Sequence, residues 1–184
     1  MRIIAGEARG RQIEAPRGRN TRPTLDRVRE NIFNMLQQEV PGSIVLDLFA
    51  GSGALSLEAL SRGAASAVLV DSDREACTVQ KKNIEALGYA GRTMQYHCDW
   101  QKALKDLGQE KKQFDLVFLD PPYAMTDLRD VFRELVPVYG SDTLIVAEHQ
   151  AGKEIAVPNM YTVTRQRSWG FCAVTFCRLL SEGE

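Results

Sequence analysis

The chain lacks several features that would each have settled its class. No apolar run approaches the roughly 20 residues of a membrane span, so no membrane association is expected. The opening stretch Met1-Arg2-Ile3-Ile4-Ala5-Gly6-Glu7-Ala8-Arg9 turns polar too early to hold a secretion signal. The cytoplasm is the expected compartment. The four cysteines (Cys77, Cys98, Cys172, Cys177) have no paired metal-ligand spacing, so structural thiols are expected and no metal site. Neither histidine, His97 or His149, sits in a nucleophile or ligand pattern. There is no internal repeat and no long low-complexity segment. Lysine is missing from residues 1–29.

What stands there instead is arginine. Residues 1–29 carry eight arginines against three acids (Glu7, Glu14, Asp26), a net +5, which leaves −6 on the remainder of a chain whose total is −1. A basic arm on an acidic body implies an anionic macromolecular partner. A solubilising tail is the plainer alternative. Arg-only usage suits phosphate forks better than generic solvation, and Ile3, Ile4 and Ile13 give the arm apolar anchors. RNA or DNA contact is therefore expected of Arg9, Arg11, Arg19, Arg22, Arg27 and Arg29.

A chain of 184 residues suits one body with a full core. The arm, residues 1–23, reads as two short strands, Arg2 to Ala5 and Arg9 to Ala15, forming a small β-hairpin. The body, 24–184, opens with a helix capped by Thr24, with Leu25, Val28, Ile32, Met35 and Leu36 at helical spacing and Pro41-Gly42 as its stop. Strands and helices then alternate: Ile44–Leu48, Ser52–Arg62; Ala67–Val70, Asp73–Leu87; Thr93–His97, Trp100–Leu107; Phe114–Leu119, Asp127–Val136; Thr143–Ala147. Such alternation predicts an α/β fold with a mostly parallel sheet and right-handed crossovers. The tail, Met160–Trp169 and Phe171–Leu179 around Gly170, predicts a C-terminal antiparallel hairpin.

Four acids fall at the carboxyl ends of successive strands, where open α/β sheets bind ligands. Asp47 precedes the turn Leu48-Phe49-Ala50-Gly51-Ser52-Gly53, whose glycines permit close backbone approach. A dinucleotide fingerprint would want a third glycine where Ser56 stands, and Asp47 favours a cationic ammonium over a pyrophosphate. Asp71, twenty residues after Gly51, can accept from both hydroxyls of a ribose, or can cap the next helix. Asp99 can accept from an adenine amino group or cap the helix at Trp100. Asp120 is followed by Pro121, Pro122 and Tyr123. The prolines fix φ and remove donors while leaving carbonyls, and an aromatic ring follows. That is a device for holding a planar NH2 group.

The ordered set Asp47 to Gly53, Asp71, Asp99 and Asp120-Pro121-Pro122-Tyr123 resembles the class I S-adenosylmethionine-dependent methyltransferases with a Rossmann-like sheet. The Asp-Pro-Pro-Tyr form is similar to those that methylate exocyclic amines of nucleobases. Thr21-Arg22-Pro23-Thr24, Arg27-Val28-Arg29-Glu30 and Phe33 narrow this to a resemblance with the bacterial family that methylates guanine N2 in 16S ribosomal RNA, the RsmD family. The resemblance runs from Arg2 to about Leu180. It implies S-adenosylmethionine held by Asp47, Phe49, Ala50, Gly51, Ser52, Gly53, Asp71, Ser72, Asp99 and Trp100. It implies catalysis by Asp120, Pro121, Pro122 and Tyr123, and a monomer acting on 16S rRNA in a small-subunit particle. Two departures stand out. Asp71 occupies a place where relatives often carry Glu, and Trp169-Gly170-Phe171 differs from the family's Tyr-Gly and is assigned no role. The rival readings are adenine-N6 methylation of DNA or RNA, a glutamine-amide acceptor, an inactive RNA-binding assembly factor and, most distantly, a nicotinamide dehydrogenase.

Overall fold

The computed structural model describes residues 1–16, 23–122, 124–125, 127–153 and 155–180. Its centre is a sheet of seven strands: β1 (Ile44–Asp47), β2 (Ser66–Asp71), β3 (Thr93–His97), β4 (Phe114–Leu119), β5 (Tyr139–Gln150), β6 (Tyr161–Trp169) and β7 (Cys172–Leu179). The order is β3-β2-β1-β4-β5-β7-β6. β1 to β5 are parallel, and β7 joins β5 and β6 antiparallel. The expected α/β class and C-terminal hairpin are present. Because β1 lies between β2 and β4, the direction of winding reverses there, and a crevice opens at the carboxyl ends of these strands.

Among the described residues five helices cover the sheet: α1 (Pro23–Met35), α2 (Ala54–Ser61), α3 (Arg74–Leu87), α4 (Trp100–Gln109) and α5 (Arg129–Glu134). One core joins Val28, Ile32, Phe33 and Leu36 to Leu57, Leu60, Ile84, Phe118 and Val146. The other joins Leu104, Leu107, Val131 and Phe132 to Leu46, Val117 and Ile145. Alternation along each strand feeds both layers. No helix of the described residues is long and apolar enough to cross a membrane.

Four expectations need correction. α1 begins at Pro23, so Thr24 lies within its first turn, and Pro at the first helical position lacks only an N–H that has no partner anyway. It ends at Met35, well before Pro41, as Leu36 to Val40 form tight turns. α5 is shorter than expected and passes into a 3-10 turn at Val136–Val138, because Pro137 cannot continue an α-helix. β5 is longer than expected, since β4 and β7 pair with it on either side.

The fourth correction concerns the arm. Two strands were expected, yet Arg2 and Gln12 make a single bridge. Ile3 N–H to Arg11 O, Gly10 N–H to Ile3 O and Ile13 N–H to Met1 O flank that bridge, so the two segments pair as a short hairpin, and other backbone donors turn to the body. Ile4 and Ala5 N–H donate to the two carboxylate oxygens of Glu58 at 2.8 and 3.0 Å. Ala8 N–H donates to Ser61 Oγ, Glu7 N–H to Ser61 O, and Glu14 N–H to Asn83 Oδ1. Ile3, Ala8 and Ile13 are buried in the first core. Gly6, at φ +82°, lets the chain approach so closely that a Cβ would lie 1.8 Å from Ser61 O.

Glu58 is fully buried and also accepts from Arg62 Nε at 2.7 Å, with Arg29 Nε at 3.7 Å. Removing one member of such a buried network costs about 3–5 kcal/mol. Glu58→Ala should therefore lower Tm by roughly 10 °C, measured by calorimetry. Residues 1–16 should gain protease sensitivity in the same variant.

Candidate active site

β1 delivers Asp47 to the crevice and is followed at once by the Gly-rich turn. Leu48 N–H donates to Phe118 O and Ala50 N–H to Val70 O, which ties the turn to both neighbouring strands. Gly53 sits at φ +81°, where a Cβ would also meet Leu69 at 2.8 Å. Asp71 Oδ2 accepts from Gly51 N–H at 2.8 Å, and its Oδ1 accepts from Asp73 N–H at 2.9 Å. Asp71 is therefore not the cap of α3. Asp73 is, accepting from the N–H groups of Glu75 and Ala76. Asp99 does cap its helix, accepting from Lys102 N–H at 2.8 Å. Trp100 and Phe49 are half-buried against the second core, and Ser72 is exposed.

Residues that the sequence reading missed complete the frame. Gln80 and Asn83, both buried on α3, donate at 3.0 Å to the carbonyls of Gly51 and Ser52. Their signal was two amides on the buried side of an amphipathic helix. Ser56, where a third glycine would stand in a dinucleotide site, donates to Asp47 Oδ2 at 2.9 Å. Glu148 at the end of β5 shares one cavity with Asp47 and Asp120. It stands one residue past the expected end of its strand, as Asp120 does after Leu119.

That cavity, about 140 Å³, is floored by Asp47, Asp120, Glu148 and the Gly-rich turn. Met1, Ala15, Pro16, Val28, Arg29 and Ile32 close it from above. Asp47 is buried, and its Oδ1 has no hydrogen-bond partner among the described residues. Burial, with the charges of Asp120 and Asp71, pushes its carboxyl from 3.8 up to about 7, against the Ser56 hydrogen bonds. Glu148 rises to about 8 through burial and the charge of Asp120. An orphaned acceptor in a negative cavity fits a cationic ligand group. Beside it, the Gly-rich turn and Asp71 offer backbone and carboxylate acceptors. The residues present thus fit S-adenosylmethionine.

The remaining expected site residues divide. Pro121 is half-buried and Pro122 exposed, and Met125 N–H donates to Pro122 O at 2.8 Å. Tyr123, Arg19 and Arg22 lie outside the described residues. Arg9 and Arg27 are exposed. Arg11 is exposed and bonds to Ala86 O near the C-terminal end of α3. Arg29 is a correction: it is 5% exposed, pairs with Asp26 at 3.0 Å and donates to Arg2 O at 2.6 Å. Its guanidinium is committed inside the fold and is not a surface contact for nucleic acid. The cysteines are free, and no metal-binding cluster occurs among the described residues.

Strand order, Gly-rich turn and Asp-Pro-Pro corner together define a class I methyltransferase. A family model described as Conserved hypothetical protein 95 matches residues 1–178, and the chain belongs to that family. Ribosomal RNA small subunit methyltransferase D of Escherichia coli K12 is 35% identical over 187 residues, covering 100% of this chain and 92% of the relative. A Bacillus subtilis protein, YlbH, whose name proposes an rRNA methyltransferase, is 38% identical over 180 residues, covering 95% and 96%. The solved structure of yhhF from Escherichia coli, whose name proposes a methyltransferase, superposes with a TM-score of 0.83 at 34% identity, covering 97% of both chains.

The raised carboxyls make a pH prediction. Between 3.8 and about 7 the folded protein keeps a proton on Asp47 that the unfolded chain has released, so stability falls as pH rises through that window. Glu148 extends the fall to about 8. Asp47→Asn should raise Tm at pH 8 and flatten its decline from pH 5 to 8, as read by scanning calorimetry.

Proposed function

We propose that this chain is an S-adenosylmethionine-dependent methyltransferase acting on the exocyclic N2 amine of a guanine in small-subunit ribosomal RNA. The observation that carries the reading is the Asp120-Pro121-Pro122 corner ending β4, one strand from the Gly-rich turn of β1. The near end-to-end match to relatives named for rRNA methylation supports the substrate.

S-adenosylmethionine would supply a methyl already activated on a sulfonium. Asp47 would hold its ammonium, Asp71 its ribose hydroxyls, and Asp99 with Trp100 its adenine. The backbone of Phe49 to Gly53, with Ser72 beside Asp71, completes the cradle. The guanine N2 lone pair is delocalised into the ring, so the amine is a poor nucleophile. Asp120 and the Pro121 carbonyl each accept one N2 hydrogen, which aims the nitrogen and favours the positive charge that develops on it. Asp120 or a water takes the proton released from N2. Tyr123 stacks on the base. The guanine must be unpaired or extruded to reach this corner.

The arm, residues 1–23, with Arg27 beyond it, supplies the electrostatic attraction for RNA. Its acids are already matched: Glu7 with Arg92, Glu14 with Lys82 and, just past the arm, Asp26 with Arg29. The charge left facing outward among the described residues is therefore basic, carried by Arg9 and Arg27. The protein acts in the cytoplasm as a monomer.

Asp120→Ala should keep cofactor binding and lose about 10²–10³-fold in kcat. Undiminished methylation of rRNA from cells lacking the gene would remove Asp120 from the mechanism. Mapping the product separates N2-methylguanine from N6-methyladenine, and tight RNA binding without turnover would favour the assembly-factor reading. Asp71→Ala should act on the cofactor dissociation constant; calorimetry showing no change would count against a ribose contact. Arg9→Gln with Arg27→Gln should lower the slope of log affinity against log salt by about 1–2. This substitution is preferable to deleting the arm, which would also strip Ile3 and Ile13 from the core.

A further inference from the structure

The last two strands bring an exposed aromatic residue to the same rim as the crevice. β7 runs antiparallel to β5, with Cys172 opposite Gln150 and Val174 opposite Glu148. The turn between β6 and β7 therefore lies where β1, β4 and β5 end. Ala151 N–H donates to Phe171 O at 2.9 Å, which fixes the turn against the residue following β5. Phe171 is 87% exposed, whereas the other exposed large hydrophobic residues among those described stay below 50%. A single exposed apolar side chain is ordinary. Its position and its neighbours set this one apart.

Those neighbours follow from register. Arg165 pairs with Phe176, Arg167 with Val174 and Trp169 with Cys172. Phe176, Val174 and Cys172 belong to the core beneath α1, so Arg165, Arg167 and Trp169 share that face of the sheet. Arg165 Nη1 reaches Met35 O at the end of α1, and its guanidinium lies 5.7 Å from the Phe176 ring centre. Trp169 is half-buried against the same core. Arg167, between them, is exposed. A basic stripe thus runs along β6 toward the crevice rim and ends in an aromatic tip.

We propose that this tip, Phe171 with Arg167 behind it, is a docking surface for the single-stranded RNA next to the target nucleotide. The Phe171 ring stacks on a neighbouring base and Arg167 takes a phosphate. The proposal rests on the rRNA methyltransferase reading above. Extruding a base toward Asp120 unstacks its neighbours, and an exposed ring at the rim offers replacement surface. Stacking of this kind tolerates any base. The charge of the stripe complements a phosphate backbone. The turn is held by two paired strands and the Ala151 hydrogen bond, so binding has little loop to order.

The test uses the full chain with Phe171→Ala, Phe171→Trp and Arg167→Gln. Affinity is read by anisotropy on an RNA fragment around the mapped product nucleotide, with 2-aminopurine beside that nucleotide as a stacking probe. Turnover is read on small-subunit particles from cells lacking the gene. Phe171→Ala should raise both Kd and KM about tenfold and relieve 2-aminopurine quenching. Its kcat and cofactor Kd should stay unchanged, and Phe171→Trp should restore binding. Arg167→Gln should reduce the salt slope by about one. Wild-type Kd, KM and quenching in Phe171→Ala overturn the surface. Loss on particles with unchanged RNA-fragment binding also overturns it, since the contact would then be with ribosomal protein. A wild-type protein that methylates no rRNA instead sinks the underlying reading, whichever way Phe171 behaves.

Discussion

A single buried carboxylate organises the half of the molecule that carries the site. Glu58 leaves water only because three donors and a further cation meet it: two backbone N–H groups of the N-terminal segment, Arg62 Nε, and the guanidinium of Arg29 as an ion pair. An unmatched charge there would be untenable. The match fixes two separate stretches of chain, the N-terminal segment and α1, against α2 at once. It holds residues 1–16 over the sheet, sets α1 above β1 and β4, and so closes the cavity over Asp47, Asp120 and Glu148. The roof of the site is a consequence of how one acid in its flank is satisfied.

The same logic explains what the sequence made legible. Strand–helix alternation and the acids at strand ends are local patterns, and the α/β class, the sheet and the crevice follow from them. Arg29 was misjudged although its signal was available. The spacing that puts Val28, Ile32 and Leu36 inside also puts residue 29 on that face, and a count of charge overrode it. The N-terminal hairpin is present, but its strands shrink to one bridge for the opposite reason. Several of its donors bond instead to Glu58, Ser61 and Asn83, residues more than fifty positions away, and no local pattern encodes such partners. Glu148 was overlooked through a strand boundary drawn one residue short.

The cavity concentrates negative charge in a place where folding alone would not put it. Asp47, Asp120 and Glu148 stand at the carboxyl ends of three adjacent strands and share one space, and Asp47 and Glu148 are held toward their neutral forms by burial and by the charge of Asp120. Ser56 bonds one oxygen of Asp47 and leaves the other without a partner. Local consistency fails here, as it commonly does where function has shaped a site. Arg29 lines the same space but is already claimed by Asp26 and Glu58, so it does not neutralise the floor.

Asp71 holds the Gly-rich turn in place. Its two oxygens each hold a backbone N–H, one in the Gly-rich turn and one at the start of α3, while Gln80 and Asn83 grip the carbonyls on the other side of that turn. The acid is a strut as well as an acceptor, tying the end of β2 to the turn. A loop so braced has lost its conformational entropy during folding. A ligand arriving there meets a surface that is already ordered, and what it gains by contact is not offset by the cost of stilling a mobile glycine-rich segment.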